Sequence, residues 1–140
     1  MQKVIIILFL FCSILFSQEV AIVKSLKGTV QVKRDNQTIT LSLGSMLHNG
    51  DIIMTQSDSS VGIIFDDGST MALGSKSIFS INRFVVDPVQ QEFNVDLNLS
   101  EGSASFESGE IGQQDPESFK FHIPEGIIGI RGTKFYVEVD

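Results

Sequence analysis

A regular alternation of apolar and polar residues constrains the fold of this chain most strongly, and it is clearest between residues 93 and 100. The apolar positions there are Phe93, Val95, Leu97 and Leu99, and the polar positions between them are Asn94, Asp96, Asn98 and Ser100. A period of two predicts a strand with one buried and one exposed face. Because the backbone groups of a strand need hydrogen-bond partners, the pattern predicts a β-sheet.

Turn residues divide the rest of the chain into short strands. The clearest hairpin joins residues 61–65 to residues 70–73 through Asp66-Asp67-Gly68-Ser69. Asn49-Gly50-Asp51 predicts another turn, because Asn and Gly tolerate positive φ at both central positions. Strands spaced about 8–12 residues apart predict an all-β domain. We expect a compact twisted β-solenoid or β-roll, with a β-sandwich or barrel as the alternative, and a mobile loop in the polar stretch 107–118.

The N-terminus predicts export. Lys3 precedes an apolar run at residues 4–16 and polar residues follow, which is typical of a secretory signal peptide. The run is shorter than the roughly 20 residues that span a membrane. We expect a signal peptide at 1–17 and one β domain at 18–140, periplasmic or extracellular, with no membrane insertion after cleavage. An uncleaved anchor and a lipoprotein modified at Cys12 are the alternatives.

Composition excludes several functions. Cys12 is the single cysteine and would leave with the signal peptide, so disulfide, thiol-nucleophile and zinc-thiolate chemistry are not expected. A formal charge of −7 disfavours binding to nucleic acid. The chain has no Trp and one Tyr, which disfavours an aromatic platform for carbohydrate.

Several short motifs follow one another in a recognisable order. They are Gly28-Thr-Val-Gln-Val, Leu43-Gly-Ser-Met-Leu47, Asn49-Gly-Asp-Ile-Ile-Met-Thr55, Ser60-Val-Gly-Ile-Ile-Phe65, Asp67-Gly-Ser69, Leu99-Ser-Glu-Gly102, Ile123-Pro124 and Ile130-Arg-Gly-Thr-Lys-Phe135. The ordered set resembles the FecR-type domain, which occurs in periplasmic regulators and other exported bacterial proteins. The resemblance implies structural roles for the motif residues Gly50, Asp51, Thr55, Gly68, Gly102, Pro124, Arg131, Gly132, Thr133 and Phe135.

The resemblance also implies a class of function. Regulators of this family combine a cytosolic anti-sigma segment, a membrane span and this domain outside, where it receives a signal from an outer-membrane iron-siderophore transporter. This sequence shows no cytosolic segment, and it ends at Asp140, where relatives usually continue, so we expect a stand-alone domain in minimal or truncated form. The expected role is a non-enzymatic protein-interaction module in envelope signalling or assembly, with another envelope protein as partner. A structural or adhesive surface component and a ligand-binding envelope domain are the alternatives, and the oligomeric state is open.

The residues themselves suggest little catalytic chemistry. Asp66 and Asp67 could ligate calcium, but we interpret the pair as part of a solvated hairpin turn. His48 and His122 have no partner at metal-ligand spacing, and the sequence has no Gly-x-Ser-x-Gly elbow. We therefore expect no catalytic residue, cofactor or metal.

Two further residues carry specific expectations. Arg131 stands in an apolar context, so we expect its guanidinium to form a structural ion pair with a carboxylate or to bind backbone carbonyls, with recognition of a partner as the alternative. Residues 96–100 fit an acidic-extended N-glycosylation sequon, which would place a glycan at Asn98 on the exposed face of its strand.

Overall fold

A computed structural model describes residues 19–130 and 134–140 of the chain. The signal-peptide prediction for 1–17 and the predictions for Arg131, Gly132 and Thr133 fall outside these residues. The strands of the described part are β1 (Glu19–Lys27), β2 (Val30–Arg34), β3 (Gln37–Thr40), β4 (Met46–His48), β5 (Ile52–Thr55), β6 (Ser60–Phe65), β7 (Thr70–Leu73), β8 (Ile78–Asp87), β9 (Glu92–Glu107), β10 (Phe119–Ile123), β11 (Gly126–Ile128) and β12 (Lys134–Val139). One short helix, α1 (Glu110–Gln114), and a 3₁₀ turn at Pro116–Ser118 stand between β9 and β10.

The strands form one continuous sheet in the order β3-β2-β5-β8-β9-β7-β6-β1-β4, and each of these neighbours is antiparallel. The long strand β9 belongs to both halves of the sheet. Its first half pairs with β8 and, in parallel, with β10, while its second half lies between β7 and β12. Gly102 stands between the two halves with φ 90°. The sheet curls strongly into a half-barrel.

The hydrophobic core lies inside this curl. In β9 the side chains of Val95, Leu97 and Leu99 are buried, as the alternation predicts. Aromatic rings join the two halves across the core: the rings of Phe65 and Phe84 stack with centroids 4.3 Å apart. In β12 the alternate residues also pack against the core, and these are Phe135, Val137 and Val139.

The all-β class is confirmed, while the solenoid or roll that we placed first is not. The observed half-barrel lies nearer to the barrel alternative. Alternation specifies which face of each strand is buried, but it does not specify which strands become neighbours. The order of strands in this sheet differs from their order in the sequence, and sharing β9 between both halves requires contacts between distant segments.

The turns were predicted in part. The hairpin between β6 and β7 is confirmed, with a hydrogen bond from Phe65 N to Ser69 O of 2.8 Å and φ 85° at Gly68. At residues 49–50 only the glycine has positive φ. A two-residue turn with positive φ at both central positions occurs instead at Asp35 and Asn36, between β2 and β3, with φ of 50° and 63°.

The polar stretch 107–118, where we expected a mobile loop, has secondary structure of its own. It contains α1 and the 3₁₀ turn, and the side chain of Ile111 within α1 is fully buried. Ile111 belongs to the hydrophobic core cluster, so one apolar residue in a polar stretch fixes the segment to the core.

Candidate functional site

The first cluster of motif residues surrounds Asp51, at the corner between β4 and β5. The Asp51 side chain is fully buried and accepts two hydrogen bonds from Arg34, from Nε to Oδ1 at 2.8 Å and from Nη2 to Oδ2 at 2.7 Å. The backbone N–H of His48 also donates to Asp51 Oδ2 at 2.8 Å, and Arg34 Nη2 donates to Met46 O at 3.2 Å. The corner therefore ties β2, β4 and β5 together.

The chemistry of this corner is that of a structural ion pair. A bidentate guanidinium–carboxylate contact satisfies a buried charge in a fixed geometry. The hydrogen bond to Asp51 raises the pKa of Arg34 above its usual value. We expected such a pair at Arg131 and not at Arg34, because Arg34 ends a strand before a polar turn and so resembles an ordinary surface arginine.

The second cluster surrounds Thr55. Thr55 Oγ1 donates to Gly74 O at 2.6 Å and accepts from Ser77 N at 2.8 Å. Ser77 Oγ accepts from Ser103 N at 3.0 Å. A Cβ on Gly102 would lie 2.5 Å from Ser77 Cα, so the backbone of β9 can approach only through a glycine. These contacts fix the bend of β9 against the connection between β7 and β8.

The third cluster lies in the hairpin between β6 and β7. Asp67 is 6% exposed, and its carboxylate accepts from Ser69 N and Ser69 Oγ, both at 2.8 Å, and from Ile111 N at 3.0 Å. Ser69 Oγ in turn accepts from Gly109 N at 2.8 Å. Our interpretation as a solvated turn is therefore wrong for Asp67, which joins the hairpin to α1.

The neighbouring carboxylate, Asp66, is on the exposed side of the same turn. Partial burial is the largest cause that raises the pKa of Asp66 above its usual 3.8, and the negative charges of Asp67 and Glu19 raise it further. Within residues 19–130 and 134–140, no three His, Cys, Asp or Glu side chains are grouped closely enough to hold a metal ion.

The remaining predicted residues are not brought together. Pro124 lies between β10 and β11, and Phe135 packs in the core with its ring centroid 5.7 Å from that of Phe106. His48 and His122 lie in β4 and β10, where each faces a different carboxylate. The roles of Arg131, Gly132 and Thr133 stay predictions. So does glycosylation of Asn98, which is half-buried in β9 with β8 on one side and β10 on the other.

The exposed apolar side chains point to a different part of the surface. The large ones are Ile39, Leu43, Met46, Val89, Ile127 and Tyr136. Three of them lie close together in the sequence: Ile39 in β3, Leu43 in the connection between β3 and β4, and Met46 at the start of β4. β3 and β4 are the two ends of the strand order in the sheet. We did not predict this exposed region from the sequence, although Thr38, Ile39 and Thr40 are strong strand formers without charge.

The edge strand β3 has an unprotected outer edge within the described residues. All four of its residues are exposed, none is charged, and its pairing with β2 contains no bulge. By contrast, Arg34 covers a carbonyl of β4, and β12 carries Lys134 and Glu138. Ile39 lies opposite the fully buried Val32, so it extends the core face to this open edge.

The fold and its clusters define an all-β domain in which the motif residues seen in the structure hold strand corners and core together. The chain belongs to the FecR protein family, whose model matches residues 51–140. A solved structure titled "Cell surface anchoring domain" is 31% identical, with 44% of this chain and 82% of that chain covered and a TM-score of 0.43. A comparison with curated proteins found no match. None of the helices in the described part has the length and apolar character to cross a membrane.

Proposed function

We propose that this protein is an exported, non-enzymatic interaction module of the cell envelope, which serves signalling or assembly by binding an extended segment of another envelope protein along β3. The observation that carries the proposal is the uncovered, uncharged edge of β3 beside exposed apolar side chains. Membership of the FecR family supports an envelope role, and the signal-peptide pattern of residues 1–17 supports export.

The arrangement of polar groups supports binding rather than catalysis. The buried side chains of Asp51, Thr55 and Asp67 already accept hydrogen bonds from neighbouring protein groups. Such groups stabilise corners of the fold and have little capacity left for a substrate. By contrast, no strand of the described residues pairs with β3 on the side away from β2, so the backbone groups there are available to a new strand.

The geometry of β3 specifies how a partner would bind. An added strand gains affinity from backbone hydrogen bonds and specificity from alternate side chains. Ile39 lies on the core face of β3, whereas Thr38 and Thr40 lie on the outer face, opposite Lys33 and Gln31 of β2. The partner segment should therefore place an apolar residue beside Ile39 and uncharged or polar residues on the outer face.

The partner is proposed to be a different protein rather than a second copy. The chain carries a formal charge of −7, so two copies repel each other at long range. A partner segment that is neutral or basic would not meet this repulsion.

Site-specific photocrosslinking in the native envelope tests the proposal. A photoreactive residue at Thr40 should give one dominant crosslink to another envelope protein, and the same residue at the exposed Gln90 should not. Ile39→Lys should abolish the Thr40 crosslink because it places a charge at the edge. The matched control, Ile127→Lys, changes an exposed isoleucine of β11 and should preserve it.

The outcomes separate the proposal from its alternatives. Equal crosslinking from positions 40 and 90 would show that β3 is not the binding edge. Crosslinking only between copies of this chain would contradict the heterologous partner and favour the structural role. Circular dichroism and melting of both lysine variants must match those of the unmodified protein for the comparison to hold.

A further inference from the structure

The dipeptide Asn49-Gly50 has an intrinsic reactivity that the proposed binding role does not use. In a flexible chain, the backbone nitrogen of the residue after asparagine can attack the side-chain amide carbon. Glycine permits this attack best, because it has no side chain to obstruct the approach and its backbone is the most flexible. The reaction requires the Gly50 nitrogen to lose its proton and to approach Asn49 Cγ.

The structure holds both reacting groups in other contacts. The Gly50 N–H donates to Ile81 O at 2.7 Å, and Asn49 Oδ1 accepts from Phe84 N at 2.8 Å. Removing the Gly50 proton here would leave a negative nitrogen facing a carbonyl oxygen. Rotating the Asn49 side chain toward Gly50 would leave the Phe84 N–H without its acceptor. Each change costs free energy that an open chain does not have to supply.

We propose that Asn49 is a self-modification site that the folded β4–β5 corner keeps closed and that local opening activates. On opening, Gly50 N bonds to Asn49 Cγ, and the side-chain nitrogen leaves as ammonia, giving a cyclic imide. Water then adds to one of the two imide carbonyls. One opening yields aspartate at position 49, and the other yields isoaspartate, with no oxidant or reductant involved.

Modification would make opening difficult to reverse. In isoaspartate the main chain runs through the former side-chain carbons Cβ and Cγ instead of the original carbonyl carbon, so the backbone between His48 and Gly50 is one carbon longer. This change displaces the Gly50 N–H from Ile81 O, directly before the buried Asp51. Isoaspartate at position 49 is therefore a lasting covalent mark of a molecule whose β4–β5 corner has opened.

Peptide mapping of the purified protein at mildly alkaline pH tests the proposal. Asn49 should deamidate at least ~10-fold more slowly in the native protein than in the same protein in denaturant, because reaction from the folded state requires opening. In denaturant, Asn49 should react faster than Asn36, which precedes glutamine. Separation of the aspartate and isoaspartate peptides identifies the imide route.

A variant and a denaturant series make the result decisive. Arg34→Met loosens the corner and should raise the native rate at Asn49, whereas Arg83→Met, at an exposed ion pair, should not. If Arg34→Met does not fold, sub-denaturing urea on the unmodified protein replaces it, and the rate should rise with the open fraction. Equal native and denatured rates, or a denatured rate at Asn49 no higher than at Asn36, would overturn the proposal.

Discussion

Replacing Arg34 by methionine should destabilise the fold far more than an ordinary surface change. The substitution keeps most of the apolar stem but removes two hydrogen bonds to Asp51 and one to Met46 O. Breaking a buried ion pair by removing one partner costs about 3–5 kcal/mol. Because the Arg34 side chain is 25% exposed, we expect the lower end of that range, about 3 kcal/mol.

Urea unfolding at neutral pH measures this loss, and a second variant isolates its cause. Most of the cost should come from the carboxylate that is left buried without its guanidinium. Asp51→Asn in the Arg34→Met background removes that charge while its amide oxygen can still accept from His48 N. The double variant should therefore recover at least about 1 kcal/mol relative to Arg34→Met alone.

Arg83→Met is the matched control. Arg83 and Glu92 form an ion pair at 3.7 Å, with side chains that are 54% and 53% exposed. Such exposed pairs contribute about 0–1 kcal/mol. A loss below about 1 kcal/mol for Arg34→Met, or no recovery in the double variant, would refute the argument that a buried pair holds this corner.

Three further predictions follow from the other clusters. Asp67→Ala should lower stability by about 2–4 kcal/mol, because it removes the acceptor of Ile111 N and of two Ser69 donors. Limited proteolysis should then cut within residues 108–118 faster, and an unchanged cleavage rate would contradict the role of Asp67 in anchoring this segment. Gly102→Ala should lower the free energy of unfolding in urea by at least about 2 kcal/mol more than Gly44→Ala does, because both glycines have positive φ but only a Cβ at position 102 would meet Ser77. Equal losses of stability in the two variants would show that the contact with Ser77 is harmless. Asp66→Asn should raise the melting temperature at neutral pH, because the pKa of Asp66 is raised in the folded state and the charged carboxylate therefore destabilises the fold above that pKa. The gain in melting temperature should vanish below the usual pKa of 3.8, and a gain that persists in acid would show that the charge of Asp66 is not its cause.

The core faces of several strands could be read from the sequence because the period of two is local. In residues 93–99 the side chains of Val95, Leu97 and Leu99 are buried and Phe93 packs against the core, on the face that the alternation predicts. The hairpin at Asp66–Ser69 was predictable for the same reason, since a short turn joins adjacent residues. These features depend on neighbours along the chain and need no knowledge of strand order.

The tertiary structure decided the roles of the motif residues. Asp51 meets Arg34 17 positions away, and Asp67 binds the amide of Ile111 44 positions away. No local pattern encodes such pairs, because they exist only after β2 has paired with β5 and α1 has reached the β6–β7 hairpin. The open edge of β3 likewise became visible only when the sheet order left β3 with a single neighbour among the described strands.

The sequence by itself thus determined the all-β class and the buried face of the clearest strands, because side-chain alternation is a property of each strand alone. The family resemblance carried by its motifs was also visible there. Only the tertiary structure decided which strands are neighbours, which charges are buried together and which edge stays uncovered. Those outcomes depend on the packing free energy of the whole core, to which distant segments contribute together.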